Sequence, residues 1–262
     1  MTFEDRIGQV LGAARFLSRL PLPETAAPLP SLAVTLRAAP VAGLLIAAGP
    51  ALVLVLAARF GLPSLAVAAL AIAALVVVTG GLHEDGLADV ADGFGGGRTV
   101  TRKLAIMRDS RIGSYGALAL GLALVLRVAA LQGLIGRVGP GAAALVFLGA
   151  AAWSRGLMLL PLDLLPPARA DGLGQAAGAD GPSGLAAALL GAGLLGAALP
   201  ACGCADGLQI LAALLASAAA ALGVTRLARH HIRGVTGDLV GAGQQAAEVT
   251  YLLVLSATVP LG

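Results

Sequence analysis

The stretch APVAGLLIAAGPALVLVLAA, residues 39–58, decides the fold class of this chain. It is uncharged and lies between Arg37 and Arg59, and about 20 apolar residues are what an α-helix needs to cross a bilayer. Similar runs recur along the 262 residues, of which 58% are hydrophobic and 12% charged, about half the charged fraction of a soluble domain. The mean hydropathy is +0.92. The sequence therefore predicts an all-α, polytopic integral membrane helical bundle rather than a soluble protein with an Ala-rich core.

We predict about seven transmembrane helices in a single domain that covers residues 1–262. Their apolar runs are about 38–58, 62–82, 114–135, 138–160, 183–201, 206–226 and 239–261. The N-terminal segment 3–20 instead intersperses arginines among apolar residues at helical spacing, which is typical of an amphipathic helix in the membrane interface. Pro21 and Pro23 are predicted to end that helix.

The distribution of basic residues predicts the orientation in the membrane. With seven spans, thirteen of the seventeen Lys and Arg residues fall on one side, which also holds the predicted loops 83–113, 161–182 and 227–238. Because basic loops of multi-pass proteins face the cytoplasm, we expect a cell (inner) membrane protein with these loops cytoplasmic. The pI of about 9.4 then reflects topology, so no nucleic acid partner is expected. The acidic N-terminus, MTFEDRIGQV, does not predict a cleavable signal peptide.

Acidic residues cluster where the second predicted span ends, in the stretch HEDGLADVADGFGGG from residue 83 onward. Asp85, Asp89 and Asp92 are spaced i, i+4, i+7, which places them within about 60° of arc on one helix face. Carboxylates this close repel one another, and a divalent cation such as Mg²⁺ or Mn²⁺ would relieve the repulsion. We therefore predict that these three aspartates bind metal and act in catalysis, with Glu84 as a further but weaker candidate ligand.

Basic residues follow this acidic stretch. Lys103, the only lysine in the chain, is predicted to bind phosphate oxygens of a substrate together with Arg108, Ser110 and Arg111. Acids for a metal beside bases for phosphate are typical of phosphoryl transfer. For Arg102 and its neighbour Arg98, membrane orientation is an equally good explanation.

Several stretches resemble the cobalamin synthase (adenosylcobinamide-GDP ribazoletransferase) family. HEDGLADVADGFGGG followed by KLAIMRDSRIGSYG resembles the family's signature, while FLSRLPLP at 16–23 and GVTGDLVGAGQQAAEV at 234–249 resemble its terminal motifs. The resemblance implies a membrane-embedded, Mg²⁺-dependent transferase. In that family the 3′-hydroxyl of α-ribazole, or of its 5′-phosphate, attacks the diphosphate of adenosylcobinamide-GDP, and GMP leaves. Both substrates and membrane lipid are the implied partners, and tethering to other corrinoid-pathway enzymes is one explanation for the membrane setting.

The proton of the attacking hydroxyl needs a general base, for which Asp109, His83 and Asp238 are the candidates. His83 has a suitable ordinary pKa near 6.5. Thr236 and Asp238 are predicted either to bind substrate or to cap the last helix.

Two further expectations concern residues outside these motifs. Glu248 lies within the last predicted span, where a carboxylate is usually paired, and Arg127 and Arg155 are its possible partners. His230 and His231 lie in a basic run and are expected to be solvated.

Two other functions remain open from the sequence. The stretch DGLADVAD, residues 85–92, also resembles the D-G-x-x-A-R motif of CDP-alcohol phosphotransferases, which act on lipid, although it has one residue fewer before the alanine and Asp89 replaces the arginine. A cation transporter would place acids at mid-membrane, whereas these acids lie at a span boundary beside bases that repel a cation.

Overall fold

The structure is a computed structural model that describes residues 3–23, 31–170, 182–202 and 205–259. All regular elements in these ranges are helices, which confirms the all-α class, and one isolated bridge pairs Pro167 with Val235. The helices are α1 (Phe3–Leu17), α2 (Leu32–Leu36), α3 (Ala39–Arg59), α4 (Ser64–Thr79), α5 (Leu82–Gly96), α6 (Val100–Ile106), α7 (Ser114–Leu157), α8 (Leu160–Leu164), α9 (Pro182–Ala201), α10 (Gly207–His231) and α11 (Gly237–Thr258).

Several of these helices have the length and apolar character of membrane spans. Within the described ranges, three pass both tests, namely α3, the helical stretch Ser114–Leu164 and α10. A fourth is added if α4 and α5, which meet at an 88° bend, count as one broken span. Helices lie at all seven predicted positions, and α1 ends at Leu17, before the two prolines, as predicted. The number of membrane crossings stays a prediction.

The long helix α7 covers two of the predicted spans. Gly139 interrupts it with φ 78° and ψ 166°, a conformation outside the helical region. On α11, Gln244 donates to Ser154 Oγ at 3.0 Å, while its neighbour Gln245 accepts from Arg127 Nη1 at 2.9 Å. In a straight helix the 27 residues from Arg127 to Ser154 would cover about 40 Å. The two halves of α7 therefore fold back on each other at Gly139 as a helical hairpin.

The three predicted cytoplasmic segments meet at one end of the helices. Lys103 Nζ lies 2.9 Å from Nδ1 of His231, and the Arg169 guanidinium donates to the carbonyl of Leu104 at 2.9 Å. On the predicted opposite side, Arg137 donates to the carbonyl of Val259, directly after α11, at 2.9 Å. The polar candidates for function are thus brought together at one end.

Two of the predicted loops are wrong in their local structure. The segment 83–113 contains α5 and α6, and the hydroxyl of Thr99 caps α6 by accepting from the N–H of Arg102 at 3.2 Å. The segment 227–238 begins as the last turn of α10, which continues to His231. Apart from the helix face predicted for Asp85, Asp89 and Asp92, charge predicted loops here, whereas helix caps and helix-forming residues decide where a helix ends.

Candidate functional site

A pair of glycines sets the direction of α5, the helix with the acidic residues. Gly80 and Gly81 have φ of 67° and 72°, which L-residues other than glycine rarely adopt. The segment after α1 is tied to this corner, because the backbone N–H of Arg19 donates to the carbonyl of Val78 at 2.7 Å. A Cβ on Gly80 would collide with the Arg19 guanidinium. The corner therefore turns α5 away from the axis of α4 by 88°.

Glycines also let α5 pack closely against the start of α11. A Cβ on Gly86 would lie 2.6 Å from the backbone oxygen of Asp238, and one on Gly241 would lie 3.2 Å from Cα of His83. Both distances are shorter than ordinary van der Waals contact. The absence of side chains at these two positions is what lets Asp85, next to Gly86, approach Asp238.

Three carboxylates form an acidic cluster on this side of α5, namely Asp85, Asp89 and Asp238. The pKa of Asp89 is raised to about 7, first by burial and then by the charges of Asp85, Asp238 and Asp92. Burial also raises the pKa of Asp238, and Arg169 opposes that effect. These mutual influences show that carboxylates predicted from two separate motifs repel one another at one site.

Asp92 has a different role in this structure from its neighbours on α5. It is 9% exposed, and its two carboxylate oxygens accept the backbone N–H groups of Gly113 at 2.7 Å and Gly116 at 2.9 Å. These N–H groups belong to the start of α7, whose first turn has no intrahelical partners for them. Asp92 thus caps α7 from a neighbouring helix, although the sequence predicts it as a metal ligand.

The side chains at the predicted magnesium site have the right donor atoms but not a complete ligand arrangement. Asp85, Asp89 and Asp238 offer only carboxylate oxygens, which are the donors that Mg²⁺ prefers. In the described ranges, however, no group of three or more His, Cys, Asp or Glu side chains is arranged to hold a metal ion. The donor atoms therefore fit Mg²⁺, but their positions do not form a complete ligand set. The metal site stays a prediction.

Glu84 faces the helix bundle and belongs to a buried ionic network. Arg127 Nη1 donates to Glu84 Oε1 at 2.6 Å, and Arg127 Nε lies 3.1 Å from Glu248 Oε1. The expected pairing of Glu248 with Arg127 is confirmed, while Arg155 donates to a carbonyl of its own helix at 3.1 Å. Sequence reasoning missed the adjacent glutamines Gln244 and Gln245. Gln244 donates to Glu248 and Gln245 donates to Glu84, so the pair links the two glutamates. The available signal was the presence of two polar residues inside an otherwise apolar helix.

The basic residues of α6 are placed near the end of α10. Lys103 contacts His231, and the imidazole of His231 stacks on Phe94 with ring centroids 4.4 Å apart. His231 is therefore half-buried rather than fully solvated, because the ring of Phe94 and the ammonium group of Lys103 cover part of it, whereas His230 is exposed as expected. Arg108 and Ser110 lie at the surface directly after α6.

Asp109 and Arg111 form an exposed bidentate ion pair. Arg111 Nε and Nη2 donate to the two Asp109 oxygens at 3.0 and 2.7 Å. These hydrogen bonds lower the pKa of Asp109 to about 2 and raise that of Arg111. A carboxylate with so low a pKa is a weak base, which disfavours Asp109 as the general base.

Of the other two candidate bases, Asp238 belongs to the acidic cluster and His83 lies on α5, two residues before Asp85. His83 is 3% exposed, and its Nε2 has no hydrogen-bond partner within the described part of the chain. Thr236 caps α11, because its hydroxyl accepts from the N–H of Leu239 at 3.3 Å. This agrees with the prediction that Thr236 caps the last helix. That cap positions Asp238 in the first turn of α11.

Arg169 is a site residue that sequence reasoning did not single out. The segment before it runs beside Val235, with Ala168 N–H donating to the Val235 carbonyl at 3.0 Å and Val235 N–H donating to that of Pro166 at 2.8 Å. This short pairing brings the Arg169 charge close enough to lower the pKa of both Asp89 and Asp238. The only indication in the sequence was that Arg169 is the single basic residue of the predicted 161–182 loop.

The fold and the site together define an all-helical protein with membrane-length apolar helices and an acidic cluster flanked by bases at one end. The model of the cobalamin-5-phosphate synthase family matches residues 9–256 of the chain. The chain therefore belongs to that family.

Full-length relatives agree with this assignment. An adenosylcobinamide-GDP ribazoletransferase from Azorhizobium caulinodans is 46% identical over 254 residues, which cover 95% of this chain and 96% of the relative. Proteins of the same name from Mesorhizobium japonicum and Xanthobacter autotrophicus are each 49% identical, over 92% and 95% of this chain and 90% and 96% of their own lengths. No solved structure matches the chain.

Proposed function

We propose that this chain joins adenosylcobinamide-GDP to α-ribazole, or to its 5′-phosphate, and releases GMP. The 3′-oxygen of the ribazole forms a bond to the phosphorus nearer the cobinamide, and the bond from that phosphorus to the GMP oxygen breaks. The product is adenosylcobalamin or its 5′-phosphate. The observation that carries the proposal is the meeting of Asp85, Asp89 and Asp238 at one end of the helices, beside the bases of α6, in a chain whose relatives bear the ribazoletransferase name.

Asp85 and Asp89 are the residues that would hold Mg²⁺, with Asp238 facing them across the contact between α5 and α11. When bound, Mg²⁺ supplies neutralisation of the charge that develops on the diphosphate. Asp92 keeps the start of α7 against α5, and Glu84 anchors α5 to Arg127 in the bundle.

The bases after α5 would bind the non-bridging phosphate oxygens. Lys103 and Arg111 provide charge, and Arg108 and Ser110 complete the surface that we assign to the GDP portion. Asp238 accepts the proton of the attacking hydroxyl in this proposal, because it lies at the acidic cluster and burial raises its pKa toward the useful range.

We further propose that the chain crosses the cell (inner) membrane about seven times, with α7 crossing twice as a hairpin and α1 in the interface. The acidic cluster then faces the cytoplasm, where both water-soluble substrates are found. Tethering to other corrinoid-pathway enzymes would account for the membrane setting.

The test uses purified protein in liposomes with adenosylcobinamide-GDP, α-ribazole and Mg²⁺, and follows GMP and cobalamin by mass spectrometry. Asp85→Asn and EDTA are each expected to abolish both products, while Asp163→Asn, which alters an exposed acid on α8, leaves them unchanged. Folded wild-type protein that forms neither product would overturn the proposal, and CDP-linked lipids would then be tried as substrates.

A further inference from the structure

A cavity of about 200 Å³ opens beside the acidic cluster. Its wall is mostly apolar and comes from α1, α2, α5, α11 and the segment that follows α7. Leu17, Leu36 and Val240 are buried in this wall, while Phe16 and Leu82 are more than 40% exposed. Among the described residues, Asp85 and Asp238 contribute the carboxylates that line the cavity.

One polar group in the cavity wall lacks a hydrogen bond. His83 lines the cavity and is 3% exposed, and its Nε2 is without a partner in the described ranges. A buried nitrogen without a partner is unfavourable, so in the tautomer that carries the proton on Nε2 a ligand with a hydrogen-bond acceptor at this point would be stabilised. The wall therefore fits a ligand that is apolar over most of its surface and has one acceptor atom.

We infer that this cavity binds the aromatic base of the α-ribazole substrate, an inference that rests on the proposed function. In this arrangement His83 Nε2–H donates to the unsubstituted ring nitrogen of the base. Even a cavity of about 150 Å³ admits an aromatic ring such as benzene. The base is apolar apart from that nitrogen, and its ribose would lie beside Asp85 and Asp238, where the reacting hydroxyl must lose its proton. His83 is then a binding residue and not the general base.

The polar groups at the cavity favour a nucleoside over a membrane lipid. An acyl chain that entered the cavity would offer no hydrogen-bond partner to His83 Nε2 and would place hydrocarbon against the carboxylates of Asp85 and Asp238. The ribose of α-ribazole is uncharged and carries hydroxyls that donate to carboxylates.

Two variants test the cavity. Val240→Phe fills it, and His83→Phe removes the nitrogen donor while keeping a ring. We expect each to weaken α-ribazole binding to the protein in nanodiscs, measured by calorimetry without Mg²⁺, by about tenfold or more. The KM for α-ribazole rises in parallel, while the KM for adenosylcobinamide-GDP changes less than about twofold. Leu208→Phe, at a 76% exposed position on α10 outside the cavity, is the matched control and binds as wild type does.

A ligand analogue tests the hydrogen bond itself. Replacing the unsubstituted ring nitrogen of the benzimidazole base by CH gives an indole riboside. This change is expected to weaken binding to wild-type protein but to make little further difference in His83→Phe. A merely structural role of His83 would not produce this coupling.

The outcomes separate this inference from the proposed function. If wild-type protein forms GMP but Val240→Phe leaves α-ribazole binding unchanged, or the indole analogue binds wild type equally well, the base lies elsewhere and the inference is wrong. A phospholipid retained in the cavity and not displaced by α-ribazole, detected by native mass spectrometry, would overturn it too. If wild-type protein forms no GMP, the proposed reaction fails, and the direct binding measurement still decides the cavity assignment.

Discussion

The ion pair between Asp109 and Arg111 determines how Asp109 responds to pH. Its pKa is lowered to about 2, so the carboxylate stays ionised above that value, and the pair is lost only as the pH falls through it. Asp109 therefore does not titrate between about pH 5 and 9, where enzyme activity is usually measured. We expect Asp109→Asn to leave the pH profile of kcat/KM unchanged in shape over this range. Profiles of variant and wild type, recorded side by side, check this, and loss of the acidic limb in the variant would restore Asp109 as the general base.

Asp92 makes a second prediction about a single side chain. Because Asp92 accepts one part-buried and one buried backbone N–H group at the start of α7, Asp92→Ala is expected to lower the free energy of unfolding by about 1–3 kcal/mol. Asp92→Asn retains one acceptor oxygen and loses less. Asp163→Ala, at an exposed site, serves as the control in unfolding experiments in one detergent. An Asp92→Ala protein that is as stable as wild type but no longer binds Mg²⁺ would instead support the metal role predicted from the sequence.

The sequence identified most of the polar residues that lie at the site, but it did not always predict what they contact. Spacing placed Asp85, Asp89 and Asp92 on one helix face, yet it did not predict that the start of α7 supplies two N–H groups to Asp92. The pairing of Glu248 with Arg127 was predictable because a buried carboxylate needs a partner and few bases lie within spans. The approach of the Arg169 charge to the acidic cluster depends on long-range packing that local patterns do not encode.

Among the secondary-structure elements, the contact between α5 and α11 makes the site. Gly86→Ala would place a Cβ 2.6 Å from the backbone oxygen of Asp238, so the helices must move apart. We expect a loss of about 1–3 kcal/mol in the free energy of unfolding and a larger proportional loss of activity, since Asp85 and Asp238 would separate. Gly136→Ala in α7 is the matched control, because a Cβ there meets nothing within 4 Å and alanine favours a helix. Equal activity in both variants would show that the α5–α11 spacing does not matter for function.

Element positions were largely predictable, and their ends were not. The apolar runs located the long helices, but 83–113 was predicted as a loop apart from the helix face of Asp85, Asp89 and Asp92, and the structure has α5 and α6 there. The 88° corner depends on positive φ at two consecutive glycines, and neighbouring Gly residues in a sequence do not specify that conformation. For α7, the sequence predicted only that one span ends and the next begins near residue 138. In the structure Gly139 interrupts the helix at this point.

At the scale of the whole molecule, the structure supports a two-sided arrangement. Lys103 contacts His231 at one end, and Gln209 donates to the carbonyl of Thr258 at 2.8 Å near the C-terminus of α11. The predicted cytoplasmic residues therefore gather at the end where α11 begins. Because basic residues concentrate there, the positive-inside rule predicts that this end faces the cytoplasm.

Thiol labelling in intact cells tests this orientation. Native Cys202 is exposed near the end of α9, on the side predicted to face away from the cytoplasm, and Thr101 is exposed on α6 at the acidic end. In a Cys204→Ser background, an impermeant maleimide applied from outside is expected to label Cys202. A Cys202→Ser/Thr101→Cys protein in the same background should react only after the cytoplasmic side is opened, because the membrane excludes the charged reagent. Labelling of both positions from the same side would contradict the odd number of crossings between them, and with it the placement of the acidic cluster in the cytoplasm.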